Sequence, residues 1–153
     1  MTGATRALAH AAAEGALAEP AVRTVLSRCD QTRAADLRAA DAMLFACPEM
    51  LGSMAGTMKD FFDRTYYAVL EGLAGRPYAA MIAAGSDGAG AARQIASIAT
   101  GWRLREAAPP LIVQTHAQTP EAILAEKRPA ASELARAREL GAALATGLAI
   151  GVW

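Results

Sequence analysis

A chain of 153 residues has the length of one domain and can bury a substantial core. Its 15 basic residues balance 15 acidic ones, so no overall field draws it to nucleic acid or to an anionic membrane surface. Hydrophobic residues make up 54%, but much of that is Ala spread among polar residues, and no stretch approaches the roughly 20 unbroken apolar residues of a membrane span.

The amino terminus, MTGATRALAH, lacks the basic segment and long apolar core of a secretory signal, which makes cytoplasmic residence the expectation. Thr2-Gly3-Ala4-Thr5 precedes a helical run in which Leu8, Ala11, Ala12 and Gly15 share a face. Free N–H groups at such a helix start, with threonine hydroxyls beside them, make either a small anion site or an ordinary threonine N-cap. Ala21 to Ser27 is enriched in β-branched residues with mixed polarity and reads as a strand near a sheet edge. Asp30 to Ala40 is short and charged, a connection to the next strand. Cys29 and Cys47 are too few and too far apart for a disulfide framework or a CxxC pair, so both are expected to be thiols.

Ala42 to Cys47 is an unbroken apolar run of strand length, as expected for a strand covered on both faces, and Pro48 is expected to end it. Met54, Met58, Phe61, Phe62, Thr65, Tyr66, Val69 and Leu73 then recur at steps of three and four, one stripe of a helix running to about Leu73. Lys59, Asp60, Asp63 and Arg64 fall off that stripe and suit its solvated face. The loop between, Pro48 to Gly56, therefore lies at the carboxyl end of a buried strand and the amino end of a helix, where open α/β sheets bind ligands. Ala74-Gly75-Arg76-Pro77 stops the helix, and Tyr78 to Ala84 is a second apolar strand. It opens into Gly85-Ser86-Asp87-Gly88-Ala89-Gly90, which reads either as a close-approach loop against a ligand or as a flexible connection. Ala91 to Thr100 is a short helix stopped by Gly101, with Trp102 packed behind it. Leu111 to Thr115 is the last strand, with His116 at its end; Thr119 to Pro129 is a polar excursion containing part of a helix. Ser132 can cap a final helix reaching about Thr146, and Ile150, Val152 and Trp153 form an apolar tail.

Helices alternating with apolar strands predict one α/β domain over residues 1–153, a parallel sheet covered on both faces. No G-x-S-x-G elbow, HExxH helix or P-loop lysine motif is found. His10 and His116 have no ligand-spaced partner, so no metal site is expected.

The segment PEMLGSMAGTMKDFFDRT resembles the stretch that wraps the flavin ring in flavodoxin-like NAD(P)H-dependent FMN reductases and quinone reductases. Gly52, Ser53, Gly56, Lys59, Phe61, Asp63 and Arg64 fit that pattern in order, and TGAT resembles the end of the family's phosphate loop. The resemblance implies a flavodoxin-like three-layer sandwich of strand order 2-1-3-4-5, with FMN as cofactor and NAD(P)H as electron donor. Cofactor contacts are then expected from Thr2, Gly3, Ala4 and Thr5 at the phosphate, and from Pro48, Glu49, Met50, Leu51, Gly52, Ser53, Met54 and Gly56 at the ring, with Gly85, Ser86, Asp87 and Gly88 opposite. Met50, Leu51 and Met54 would form an apolar wall; no side chain is singled out as catalytic. The acceptor implied is a quinone-like small molecule, and the assembly a homo-oligomer, dimer or tetramer. Two other readings stand beside it: a flavodoxin-type electron carrier, disfavoured by the zero net charge, and a flavin-free binding domain. One departure from the family motivates the latter. The apolar run of about five or six residues that should form the central first strand is not found, and Met1 stands where it should end. Either an upstream segment belongs to the protein, which the intact remainder favours, or the sheet has an altered edge and a weakened phosphate site.

Overall fold

The computed structural model describes residues 2–153; Met1 and the reading attached to it lie outside them. The helices are α1 (Ala4–Leu17), α2 (Ala34–Ala39), α3 (Gly56–Val69), α4 (Ala89–Gly101), α5 (Pro120–Leu124) and α6 (Ala131–Ala149). The strands are β1 (Met43–Met50), β2 (Ser53–Met54), β3 (Pro77–Ala84), β4 (Arg105–Glu106) and β5 (Leu111–Gln114).

The two apolar runs pair in parallel, Met43 opposite Tyr78 through Pro48 opposite Ala83. All eight residues of β3 are buried, because it is the inner strand of a sheet with helices on both faces. Its alternate side chains enter two different cores. Tyr78, Ala80, Ile82 and Ala84 join Phe45, Phe61, Phe62, Ile95 and Trp102 beneath α3 and α4. Met81 and Ala83 instead meet Leu8, Ala12, Leu111, Val113 and Ala137 beneath α1 and α6. This is the expected three-layer sandwich. Both β4 and β5 pair in parallel with β3, one line of chain interrupted at Pro109-Pro110, where proline cannot donate to a ladder.

The other side of the sheet departs from the expected order. Among the described residues β1 has only β2 beyond it, antiparallel at Glu49–Met54 and Met50–Ser53, so the 3-4-5 part of the order is formed and no strand flanks Met43 to Pro48 on the side away from β3. The strand expected at Ala21 to Ser27 is not formed; the segment is irregular, with Val25 68% and Leu26 48% exposed. Its β-branched composition suits a pleated surface, but without a central strand beside it the backbone has no ladder to join.

Pro48 does not end β1, which runs on to Met50. The Pro48 carbonyl turns away from β3 to accept the Ala55 N–H at 3.1 Å. In a strand a residue's nitrogen points to the same side as its carbonyl, so the donor that proline lacks is lacking where no ladder runs. The charged connection at 30–40 contains α2, held by the Asp36 carboxylate accepting Arg33 N–H at 2.8 Å. The Arg76 guanidinium reaches its last turn, bonding the carbonyls of Leu37 at 3.2 Å, Arg38 at 2.8 Å and Ala40. Helix α3 ends at Val69 rather than Leu73, although Leu73 is fully buried just beyond it. Its outward face carries the ion pairs Lys59–Asp63 and Asp60–Arg64. Ser132 does not cap α6: Ala130 is the N-cap residue, and the Glu133 carboxylate accepts its N–H at 2.6 Å.

Helices α1 and α6 touch backbone to backbone. A Cβ at Gly15 would lie 2.8 Å from the Arg138 carbonyl carbon, and one at Gly141 would lie 2.7 Å from that of Ala12. Among the described residues no helix is long and apolar enough to cross a membrane.

Candidate functional site

At the carboxyl end of β1 the chain folds back through Leu51 (φ 53°) and Gly52 (φ 71°) into β2. Two successive residues of positive φ match the twist of a hairpin, although a bulky residue rarely adopts the first position. Met50 and Leu51 project from this tip, Leu51 fully into solvent. Two further contacts tie the hairpin to α4. The Gln94 Oε1 accepts both Ser53 Oγ–H and Met54 N–H at 2.9 Å. The Glu49 carboxylate accepts Gly88 N–H at 2.7 Å through Oε2 and Ala91 N–H at 3.2 Å through Oε1.

Helix α4 has no cap of its own: Gly88 (φ 92°) is its N-cap residue, and its first turn holds no acidic side chain. Glu49 supplies both the acceptors and the negative charge that a helix start favours. The approach is close enough to require glycine. A Cβ at Gly90 would lie 2.8 Å from the Gly52 carbonyl carbon and 3.1 Å from Glu49 Oε1. On its other flank the 85–88 loop meets the chain leaving β5. Thr115 N–H donates to the Ala84 carbonyl at 2.8 Å, and Gln114 Nε2–H to that of Asp87 at 3.3 Å. His116 (φ 51°) follows, exposed.

The start of α1 is chemically different. Gly3 (φ 95°) precedes it; there is no side-chain cap and no acid in the first turn. Among the described residues no acceptor takes the N–H groups of Ala4, Thr5 and Arg6. The Thr2 carbonyl accepts Lys127 N–H at 2.6 Å, which seats this turn against the segment entering α6. Beside it lies an open cavity of about 330 Å³ whose lining includes Gly3, Arg6, His10, Glu126, Lys127 and Arg128, with the Glu126 carboxylate 3.4 Å from the Arg128 guanidinium. The Lys127 ammonium is spent on the carbonyls of Ala122, Ile123 and Ala125.

The structure thus brings the 48–54 and 85–88 loops together, whereas no hydrogen bond among the described residues joins Thr2–Thr5 to either loop. Gly52, Gly56, Gly85, Ser86 and Asp87 are exposed, while Thr2, Gly3, Thr5, Pro48 and Ser53 are half-buried. Met54 is 5% exposed and belongs to the core, so it cannot join Met50 and Leu51 in a surface wall. Ala4 and Gly88 are buried and offer only backbone. Sequence reasoning missed Gln94, Arg6 and the 126–129 segment. Gln94 has no local signature, because its partners lie about forty residues earlier.

Behind the hairpin, Cys47 is fully buried; its Sγ accepts Ala55 N–H at 3.4 Å. Burial pushes its thiol from an ordinary 9.0 up to about 11, opposed by that N–H. The folded state therefore favours the protonated thiol. This contribution is complete below about pH 9, where the unfolded chain also keeps its proton, and is lost as pH rises from 9 through 11. The stability difference between wild type and Cys47→Ala, read from urea midpoints, is expected to shift by the order of 2 kcal/mol against wild type across that window. Thiol-reactive dye at pH 8 is expected to label half-exposed Cys29 and spare Cys47.

This geometry can be set beside known proteins. By fold, the chain is similar to a flavodoxin from the domain Archaea, with TM-score 0.77 and 19% identity over 97% of this chain and 92% of that one. It is likewise similar to the flavodoxin, WrbA-like protein of Agrobacterium tumefaciens, with TM-score 0.63 and 22% identity over 99% and 92%. Two-electron reduced Megasphaera elsdenii flavodoxin gives TM-score 0.69 and 20% identity over 95% and 93%. No curated protein matches the chain. The family described as NADPH-dependent FMN reductase matches residues 2–109, from the start of α1 to beyond β4. That span is well over half of the sequence, and the chain therefore belongs to the NADPH-dependent FMN reductase family on a flavodoxin-like fold, a membership that supports flavin-dependent oxidoreductase activity.

Proposed function

We propose that this protein binds FMN and carries hydride from NAD(P)H to a quinone or a similar small acceptor. The observation that carries the reading is the contrast between its two glycine-led helix starts. The start of α4 is filled by Glu49, so a further anion is repelled there. Among the described residues the start of α1 has no acceptor for the N–H groups of Ala4, Thr5 and Arg6 and no acid in its first turn, and the Arg6 side chain lines the cavity beside it. A phosphate fits that chemistry. In this reading Thr2 and Thr5 add hydroxyls to the amides of Ala4 and Thr5, and Gly3 provides the left-handed turn that aims them outward.

The backbone of Gly52 and Gly56 is open, with no atom within 4 Å of the place a Cβ would take, so a flat ring can approach it. The loop from Gly85 to Gly88 would face the ring from the other side, while Met50 and Leu51 give an apolar surface that excludes water from one edge. FMN, when bound, supplies the redox chemistry, accepting hydride from the nicotinamide and passing the electrons on. The chain's own task is to hold, orient and dehydrate, which needs no ionisable acid/base pair. The homo-oligomer belongs to the same proposal: the exposed apolar residues Tyr67, Leu124 and Ile150 are available to a second copy. A monomer by sedimentation at micromolar concentration counts against it.

The flavodoxins among the structural neighbours favour a second reading, an electron carrier. Fluorescence titration of FMN, followed by NAD(P)H oxidation with benzoquinone, separates the two. Quenching with turnover supports the reductase. Quenching and photoreduction without turnover support the carrier. Absence of quenching removes both.

A further inference from the structure

We infer that Glu49 is a positioning residue: its carboxylate, clamped onto the first turn of α4, holds the hairpin in its ring-facing shape before any cofactor arrives. The inference rests on the FMN reading for what the hairpin serves, though not for the clamp itself.

Three observations carry it. First, both carboxylate oxygens are committed, Oε2 to Gly88 N–H and Oε1 to Ala91 N–H, so Glu49 faces α4 and not a ligand. Second, the hairpin has little else to fix its pose. Its ladder, Glu49–Met54 and Met50–Ser53, joins its two arms to each other and not to the domain. An isolated two-stranded hairpin is marginal in water. Its tip buries little side chain, with Met50 47% and Leu51 105% exposed, and rests on α4 through the Gly52 carbonyl against Gly90. The β2 arm is anchored by buried Met54 and by Gln94; among the described residues the hydrogen bonds from the β1 arm past Pro48 to α4 are those of Glu49. Third, the clamp reciprocates. The start of α4 lacks both an own cap and an own acid, so the bonds that fix the hairpin also complete the helix. Bonds from backbone amides to a carboxylate are stronger than neutral ones, and a glutamine in its place keeps one carbonyl acceptor but loses the charge.

A preformed hairpin means that FMN binding does not have to order it, so losing the clamp is expected to appear as lost affinity. Amide hydrogen exchange at Gly88 and Ala91, measured by NMR without FMN, reads the clamp; FMN fluorescence quenching reads its consequence. In Glu49→Ala both amides are expected to exchange about ten-fold faster, and FMN to bind about ten-fold more weakly. Glu49→Gln is expected to recover protection at one amide and part of the affinity, a rescue that cavity formation alone does not predict. Unchanged exchange in Glu49→Ala overturns the clamp. Faster exchange with wild-type affinity overturns its role in positioning. If Glu49→Ala does not fold, Glu49→Gln decides: faster exchange at one amide with weakened FMN binding supports the role, and wild-type values in both overturn it. If wild type itself leaves FMN fluorescence unquenched, the cofactor reading fails and the positioning role with it, whatever the two amides show.

Discussion

A Gly90→Val chain is expected to bind FMN at least about ten-fold more weakly than wild type and to lose about 1–3 kcal/mol of stability. The Cβ added there would meet the Gly52 carbonyl carbon at 2.8 Å and Glu49 Oε1 at 3.1 Å. The closest contact is the Gly52 backbone, which cannot swing aside as the end of a side chain could. Helix α4 and the hairpin must separate, and the bonds from Gly88 and Ala91 to Glu49 and from Ser53 and Met54 to Gln94 lengthen together. Fluorescence titration gives the affinity and urea denaturation the stability. Weakened stability with unaltered affinity would show that the two loops do not act on the ring as one surface.

Trp102→Ala is expected to cost about 3–5 kcal/mol, a large part of the total stability of such a domain. The indole is fully buried. Its ring centroid lies 5.3 Å from that of Phe62 and 6.0 Å from Tyr66, with which it is stacked, and Phe45 and Phe61 lie 6.4 and 6.5 Å away. Its Nε1–H donates to the Tyr66 carbonyl at 3.2 Å. Removal leaves a cavity among rings from β1 and α3 and an acceptor without its donor. The melting temperature is expected to fall by roughly 10 °C or more, as scanning calorimetry would record. Trp102→Phe keeps a ring in the cluster and is expected to lose markedly less. Equal losses in the two variants would mean that the indole hydrogen bond, and not the filled volume, dominates.

What could be read from the residues follows from the range of the interactions involved. The runs around Phe45 and Ile82 declare buried strands because a strand covered on both faces has no polar side to show. Helix α3 declares itself through Met58, Phe61, Phe62, Thr65 and Val69, all buried as their spacing predicts. Ala21 to Ser27 misleads for the converse reason: β-branched residues report a fitness for pleating, whereas a strand also needs a neighbour. At the site, the apposition of the 48–54 and 85–88 loops was legible from two strand-to-helix connections rich in small residues. The hairpin was not. Its second arm is only Ser53–Met54, and its turn places leucine where asparagine or glycine would announce it. Nor could Glu49 be assigned to α4, since that requires knowing which helix start stands opposite; chain order alone leaves the carboxylate looking free for a ligand. Met54 reads equally as wall or core, and only the packed structure decides.

The glycine seam between α1 and α6 has a kinetic corollary. Ala12 and Gly15 meet Arg138 and Gly141 across most of the polypeptide, one of the longest loops that folding must close. During synthesis α1 leaves the ribosome long before its mate exists, with Leu8 and Ala12 bare. Refolding experiments should therefore find the β3 amides protected early and those of α1 late, with the amino-terminal helix the segment most in need of chaperone cover.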